Sequence, residues 1–283
     1  MDPAAPLPAI VLEPIVRLAL AEDLGRAGDV TSQATIAAGA IARWIIRARK
    51  PGVVAGLDAA ALALHLVDPQ ARLEIVAGDG SAVEAGAAIA HVSGPARSLL
   101  TAERTMLNFI GQLSGVATLT RTFVEAVAGT GARIADTRKT HPGMRALQKR
   151  AVRLGGGASH RFGLDDAILI KDNHVAAAGG VAAALERARA FAGHLMAIEV
   201  EVDSLAQLDE ALPFNPTCVM LDNFSLDDLA TAVARARGRT VLEASGGVSL
   251  ATVAGIAATG VDVISVGALT HSAPCLDVGL DAA

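Results

Sequence analysis

Six short apolar runs recur in the second half of the chain, and their rhythm constrains the fold more than any other feature. They cover 132–135, 167–170, 196–202, 218–221, 240–242 and 261–266, with helical patterns between most of them. Strands that alternate with helices pair in parallel, because a crossover helix returns the chain to run in the same direction. Ser204, Ser225 and Ser249 each precede an apolar-periodic stretch, where a hydroxyl can accept the free N–H groups of a first helical turn. Ser225 and Asp228 have capping-box spacing, and Gly260 stands where the helix after Ser249 should end. Six strands fall short of a complete α/β barrel. The expected fold is therefore α/β. An N-terminal α+β domain over 1–115 precedes an incomplete, six- to seven-stranded α/β barrel over 116–272 and a C-terminal tail over 273–283. One end of that barrel is expected to be closed by the N-terminal domain or by a partner subunit.

Within 1–115 the pattern predicts an amphipathic helix near 14–22 and strands over 41–48 and 72–76. Turns are expected at Gly78-Asp79-Gly80 and Pro95. A long helical region starts at Ser98 and runs to about Ala128, with an interruption expected near Ser114-Gly115. The stretch 78–86 is similar to hammerhead carrier domains that bear biotin or lipoate. Such a carrier needs a lysine on an exposed hairpin, and no lysine lies between 51 and 138, which excludes it.

The chain is 52% hydrophobic, so a sizeable core is available, and that core is aliphatic because Tyr is absent and Trp44 is the single Trp. No apolar run reaches the ~18 residues of a membrane span. No basic side chain precedes Arg17, so the cationic start of a secretory signal is missing. Cys218 and Cys275 provide neither a disulfide framework nor a zinc spacing. A cytoplasmic protein is expected. The formal net charge of −5 argues against a uniformly basic nucleic-acid binder.

The distribution of charge is more informative. Between Arg138 and His174 lie eight Lys/Arg against three Asp, an excess of five positive charges in an otherwise acidic chain. Such an island suits a small anionic ligand. Only four of the 24 basic residues are lysines, and Lys139, Lys149 and Lys171 all fall in the island. Lysine is a compact point charge that the guanidinium fork cannot replace freely. Lys139 and Lys171 are therefore read as held by chemistry, and Lys149 as a surface residue of the following helix.

Polar residues follow the apolar runs in order: Arg138-Lys139, Lys171-Asp172-Asn173-His174, Glu199 and Glu201, Asp222-Asn223, Ser245-Gly246-Gly247, and Gly267-Ala268. Polar groups at the carboxyl ends of parallel strands are how α/β barrels build active sites. Ser245-Gly246-Gly247 and the turn at Gly267 form a candidate phosphate cradle on the last two strands. Glu199 and Glu201 alternate with two valines and so face one side. Buried acids need cations nearby. Glu199 is expected to pair with Lys139 or Lys171, whereas Glu201 and Asp222 could share Mg²⁺ with a diphosphate. His160-Arg161 follows a triple glycine, and arginine suits a bidentate grip on a carboxylate. His65, His91 and His194 are assigned to structure. A Schiff-base aldolase built on Lys171 and a non-enzymatic anion binder are alternative classes.

Several of these segments resemble a known family. Thr137-Arg138-Lys139-Thr140-His141-Pro142-Gly143-Met144-Arg145 resembles a T-R-K-T-x-P-G-x-R motif of the carboxylating nicotinate-nucleotide pyrophosphorylases, the quinolinate phosphoribosyltransferases. Gly155-Gly156-Gly157-Ala158-Ser159-His160-Arg161 and Ile170-Lys171-Asp172-Asn173-His174 resemble two further motifs of that family. Glu199-Val200-Glu201, Leu221-Asp222-Asn223, Ala244-Ser245-Gly246-Gly247 and Val266-Gly267-Ala268 follow in family order. Upstream, Glu103-Arg104-Thr105-Met106-Leu107-Asn108-Phe109 and Glu22-Asp23-Leu24-Gly25 match as well. His141 departs from the family pattern, which often has Thr there.

The resemblance implies phosphoribosyl transfer to quinolinate with loss of carbon dioxide, in de novo NAD biosynthesis. It implies that Arg138, His160, Arg161 and Lys171 grip the diacid, with Arg104 reaching in from the neighbouring subunit of a homodimer. Lys139 would serve pyrophosphate. Glu201 and Asp222 would serve Mg²⁺, the ribose hydroxyls or the charge developing at the sugar. Ser245, Gly246, Gly247 and Gly267 would hold the 5′-phosphate, with His271 nearby. A paralogue associated with molybdenum transport is the closest alternative.

Overall fold

A computed structural model describes residues 5–236 and 238–282. In chain order the elements are α1 (Ala9–Leu24), α2 (Val30–Thr35), β1 (Ile41–Ala48), β2 (Gly52–Val53), α3 (Leu57–Val67), β3 (Arg72–Ile75), β4 (Ala82–Val83), β5 (Ala88–Pro95) and α4 (Ala96–Ala126). After them come β6 (Arg133–Ala135), α5 (Arg145–Leu154), β7 (Ile168–Ile170), α6 (Asp172–Ala178), α7 (Val181–Phe191), β8 (Ile198–Val202) and α8 (Leu205–Ala211). The chain ends with β9 (Cys218–Asp222), α9 (Leu226–Ala236), β10 (Val241–Ser245), α10 (Val253–Ala258), β11 (Val263–Ser265), α11 (Ala268–His271) and β12 (Val278–Ala282). Two units divide these elements. One holds the residues up to Arg121, Thr140–Gly156 and the stretch from Leu269 onward; the other holds Thr122–Lys139 and Gly157–Ala268. Compactness thus groups α5 and the C-terminal segment with the N-terminal elements, which a linear division of the chain does not do.

The first unit carries an antiparallel sheet ordered β12-β1-β5-β3. Leu12, Val16 and Leu20 form the buried stripe of α1, at the spacing that puts side chains on one helix face. That helix starts at Ala9 and runs through Pro14 instead of beginning there. The interruption expected at Ser114-Gly115 is absent, and α4 continues through it. These residues are small because other segments come close. Ser114 Oγ accepts the Ala55 N–H at 2.9 Å, and a Cβ on Gly115 would lie 2.1 Å from the Pro274 carbonyl oxygen. Within the C-terminal tail, β12 pairs along β1 from Trp44↔Ala282 to Ala48↔Val278.

Helix α5 divides the basic island. Lys149, expected at the surface, is only 2% exposed. Arg150 is buried too, 2.7 Å from Asp79 and 3.5 Å from Asp58. Burial pushes the Asp79 carboxyl above its usual range despite the guanidinium beside it. Removing one partner of such a buried pair costs about 3–5 kcal/mol, so Arg150 belongs to the architecture of this unit.

The second unit is the α/β layer. Its six strands are all parallel, in the order β6-β11-β10-β9-β8-β7. Beside β6, Ala158 adds a one-residue parallel rung to Ala135, so the incomplete barrel has six strands and a fragment of a seventh. β10 extends to Ser245, beyond the apolar run at 240–242, because Glu243 and Ser245 interrupt the apolar pattern without ending the strand. Ser225 Oγ accepts the Asp228 N–H at 3.1 Å and donates to its carboxylate at 2.7 Å, as the capping-box spacing predicts. Ser204 accepts the Gln207 N–H at 3.4 Å. Ser249 caps differently from expectation: its carbonyl accepts the Thr252 and Val253 N–H groups in a turn, and α10 begins only at Val253. Gly260, at φ +91°, follows α10 in the left-handed conformation that a helix-ending glycine supplies.

Candidate active site

The carboxyl ends of the six parallel strands gather the polar residues of the second unit. Lys171 directly follows β7, and its Nζ donates to Glu201 Oε2 on β8 at 2.5 Å. The lysine side chain is 47% exposed and the glutamate 13%. His174, in the first turn of α6, accepts the Lys171 backbone N–H at its Nδ1, 3.0 Å away. This holds the strand-to-helix corner from which the ammonium projects.

Arg138 and Arg161 are half-buried, and the Nε of each is buried with no hydrogen-bond partner. Burial, and then the nearby Arg138 charge, hold the Arg161 guanidinium below its usual range. Arg161 Nη1 donates to the Ala167 carbonyl at 3.2 Å. Two desolvated guanidiniums that repel each other are an unfavourable arrangement until an anion joins them. Lys139 is exposed, and its backbone N–H donates to Thr137 Oγ1 at 3.0 Å.

On the next strands, Asp222 ends β9 half-buried and accepts Asn223 Nδ2 at 2.8 Å. The Asn223 N–H donates to the Ser245 carbonyl at 2.9 Å, which ties the end of β9 to that of β10. Asn223 packs so closely that a Cβ on Gly246 would lie 2.2 Å from its Oδ1. Gly246 and Gly247 both have positive φ, at +93° and +59°. Such turns can present backbone N–H groups to an anion. Because α10 begins later, at Val253, this cradle relies on the turn itself and not on a helix end. Gly267 is half-buried, just past β11.

A second polar cluster lies deeper in the sheet. His160 Nε2 is 3.1 Å from Glu199 Oε2 and 3.5 Å from Glu243 Oε1. Glu199 therefore pairs with His160, and not with Lys139 or Lys171 as the sequence suggested. Burial, and then the charge of Glu199, push the Glu243 carboxyl up to about 7. Burial pushes the neighbouring Cys218 thiol far up as well, aided by Glu199 and Glu243, so that thiol is inert. These groups line a cavity of about 190 Å³ together with Arg161 and the first residues of the strands. Among the described residues, His160, Glu199 and Glu243 are the one trio whose donor atoms could converge on a metal. Glu201 and Asp222 are not part of it. Glu243 was missed in the sequence, although a lone acid two residues before Ser245 in a buried strand was the same signal that Glu199 and Glu201 gave.

Two expected site residues belong to the first unit. Arg104 is exposed on α4, in a groove of about 390 Å³ with Glu22, Asp23 and Asn108. His271 is exposed at the end of α11, with Nδ1 2.6 Å from Ser272 Oγ. His141 is structural there, since its N–H donates to Gln148 Oε1 and its Nδ1 meets Gln148 Nε2, both at 3.0 Å. A larger hollow of about 890 Å³ lies on the outer helices by Asp209 and Arg235, away from the strand ends.

Comparison with known proteins gives a consistent result. The model of the quinolinate phosphoribosyl transferase C-terminal domain matches residues 116–281, and that of the N-terminal domain matches 29–114. A nicotinate-nucleotide pyrophosphorylase [carboxylating] of Mycobacterium leprae is 51% identical over 94% of this chain and 95% of its own. A probable enzyme of the same name from Synechocystis is 44% identical over 96% and 93%. The solved nicotinate-nucleotide pyrophosphorylase of Francisella tularensis superposes with a TM-score of 0.95 at 40% identity, over 100% of both chains.

Proposed function

We infer that this chain, which belongs to the quinolinate phosphoribosyl transferase family, joins quinolinate to phosphoribosyl pyrophosphate and forms nicotinate mononucleotide, pyrophosphate and carbon dioxide. The observation that carries this reading is the pair Arg138 and Arg161, two half-buried guanidiniums whose Nε atoms lack partners. A pyridine diacid brings two carboxylates to such a pair. Lys171 supports the same reading, because its link to Glu201 is open enough to water for an incoming carboxylate to compete for the ammonium.

The reaction is served by charges fixed before it begins. Pyrophosphate leaves the ribose as an oxocarbenium-like carbon forms, and the pyridine nitrogen attacks that carbon. Lys139 faces the departing pyrophosphate, and Glu201 and Asp222 face the positive charge at the sugar. Gly246, Gly247, Ser245 and Gly267 hold the 5′-phosphate. The positive charge of the new pyridinium then stabilises the electron pair left on the adjacent ring carbon when carbon dioxide departs, and that carbon takes up a proton from water. Preorganised groups of this kind need no rearrangement as charge develops.

Mg²⁺ fits the open end of the strands. Glu201 and Asp222 are half-buried oxygen donors on adjacent strands, and this ion takes one or two carboxylates together with substrate phosphates. Bound there, it would neutralise diphosphate charge. A homodimer in which Arg104 of one copy completes the pocket of the other is part of the proposal, supported by the exposure of Arg104 on α4. So is a cytoplasmic location, supported by two free cysteines; no helix among the described residues is long and apolar enough to cross a membrane.

The deciding assay measures pyrophosphate release from phosphoribosyl pyrophosphate and Mg²⁺ with quinolinate, and again with nicotinate. Release should require the 2-carboxylate that nicotinate lacks. Equal turnover of nicotinate would sink the reading.

A further inference from the structure

Among the described residues, only two other than glycine have positive φ, and both are asparagines. Asn215, at φ +45°, ends a 3₁₀ turn over Leu212–Phe214, where its N–H donates to the Leu212 carbonyl at 3.1 Å. That is an ordinary way to stop a turn of helix. Asn223, at φ +58°, ends no helix. It follows β9 directly, so its left-handed backbone has another cause.

The cause lies on both sides of it. Successive side chains of a strand point to opposite faces. The left-handed turn at Asn223 cancels that alternation and brings its amide back beside the residue before it. Asn223 Nδ2 donates to Asp222 Oδ2 at 2.8 Å. This bond engages one oxygen of Asp222 and leaves Oδ1 for a ligand. Toward β10, the Asn223 N–H donates to the Ser245 carbonyl at 2.9 Å, one position beyond the last rung, Ser245↔Asp222. The same side chain fills the space behind Gly246, where a Cβ would lie 2.2 Å from Asn223 Oδ1 and 2.6 Å from its Cγ. Gly246 is itself at φ +93°.

We propose that Asn223 is a positioning residue for the sugar-phosphate end of the site. It orients Asp222 so that a single oxygen, Oδ1, meets Mg²⁺ or a ribose hydroxyl, and it backs the Gly246 turn that takes the 5′-phosphate. This rests on the function proposed above and deepens it at one residue. Asparagine suits the position on two counts. It tolerates the left-handed backbone better than most residues, and its amide gives a carboxylate an N–H donor. Glycine would keep the backbone and lose the donor. Aspartate would set a second carboxylate against Asp222.

Two substitutions separate the amide from the backbone. Asn223→Gly removes the amide and leaves the turn free of strain, whereas Asn223→Ala removes the amide and adds strain. Both should raise KM for phosphoribosyl pyrophosphate about tenfold, with KM for quinolinate within about twofold of the parent, since hydrogen bonds to charged groups carry effects of that order. Mn²⁺ bound together with phosphoribosyl pyrophosphate, followed by electron paramagnetic resonance, should be held about tenfold less tightly by both variants. Parent-like values in Asn223→Gly would overturn the proposal, because the position would then require only a backbone conformation. Equal KM rises for both substrates would overturn it as well. In ¹⁵N spectra of the unmodified, substrate-free protein, the two side-chain amide protons of Asn223 should be separated more widely than those of a solvated asparagine. Asp222→Ala should bring them to the ordinary separation. Spectra that Asp222→Ala leaves unchanged would refute the link even if neither Asn223 variant folds. An unmodified enzyme that releases no pyrophosphate from quinolinate and phosphoribosyl pyrophosphate would instead sink the function proposed above, and the amide spectra would still judge the hold of Asn223 on Asp222.

Discussion

Glu199 and Glu201 sit two residues apart on the same face of β8, yet they do opposite things. Glu199, near the start of the strand, is enclosed and bonded to a histidine that is equally enclosed. Glu201, near its end, is bonded to a lysine that is nearly half exposed. The difference is one of dielectric. A carboxylate bonded in the interior cannot exchange partners without being left desolvated and unpaired, so it serves as a fixed support. A pair open to water costs little to separate, so it can pass its cation to a substrate. One strand thus carries a permanent contact at its base and an exchangeable one at its mouth.

The sharpest way to break that contrast is to remove the cations at the mouth. A unit charge at about 4 Å is worth roughly 4 kcal/mol at an effective dielectric of 20, or about three orders of magnitude in rate. Lys171→Ala and Lys139→Ala should each lower kcat/KM by about that factor while circular dichroism and melting temperature remain those of the parent. Near-normal kinetics in both would refute the reading of these lysines as chemically held.

A smaller effect is expected at the base. The Glu243 carboxyl is pushed up from 4.5 to about 7 in the folded protein, so the fold binds a proton there that the unfolded chain releases. Its contribution favours folding least at high pH: it is constant below 4.5, and stability is lost as pH rises to about 7. Glu243→Gln should remove this dependence, so its stability relative to the parent should increase across that window by on the order of 3 kcal/mol at most. Denaturant titrations at several pH values would show it, and parallel curves for the two proteins would rule it out. The least effect belongs to the cap of α9: Ser225→Ala should cost about 1 kcal/mol of stability and leave both Michaelis constants unchanged.

Much of this was legible in the sequence because the strand ends announce themselves. An apolar run stopped by Lys171 or Asp222 marks both the strand and the position of its polar group. What stayed hidden depended on contacts distant in sequence. Lys149 read as a surface lysine because nothing in α5 reveals that the helix is buried on nearly every side. Ser114-Gly115 looked like a helix break because small residues have the same appearance whether they bend a helix or admit a neighbour. The surroundings of His160 depend on Glu243, 83 positions further on, and on the direction of one backbone N–H. No local spacing encodes either.

The pairing of β1 with β12 has a consequence for how the chain is made. β1 finds β5 early, but its other edge waits for residues 278–282. At ribosomal speeds of about 5–20 residues per second, that edge stays open for on the order of ten seconds or more on every nascent chain. An unpaired strand edge is a template for a neighbouring polypeptide on the same messenger. Arg43 and Arg47, spaced along β1, place positive charge on it during that interval, as gatekeepers against premature association.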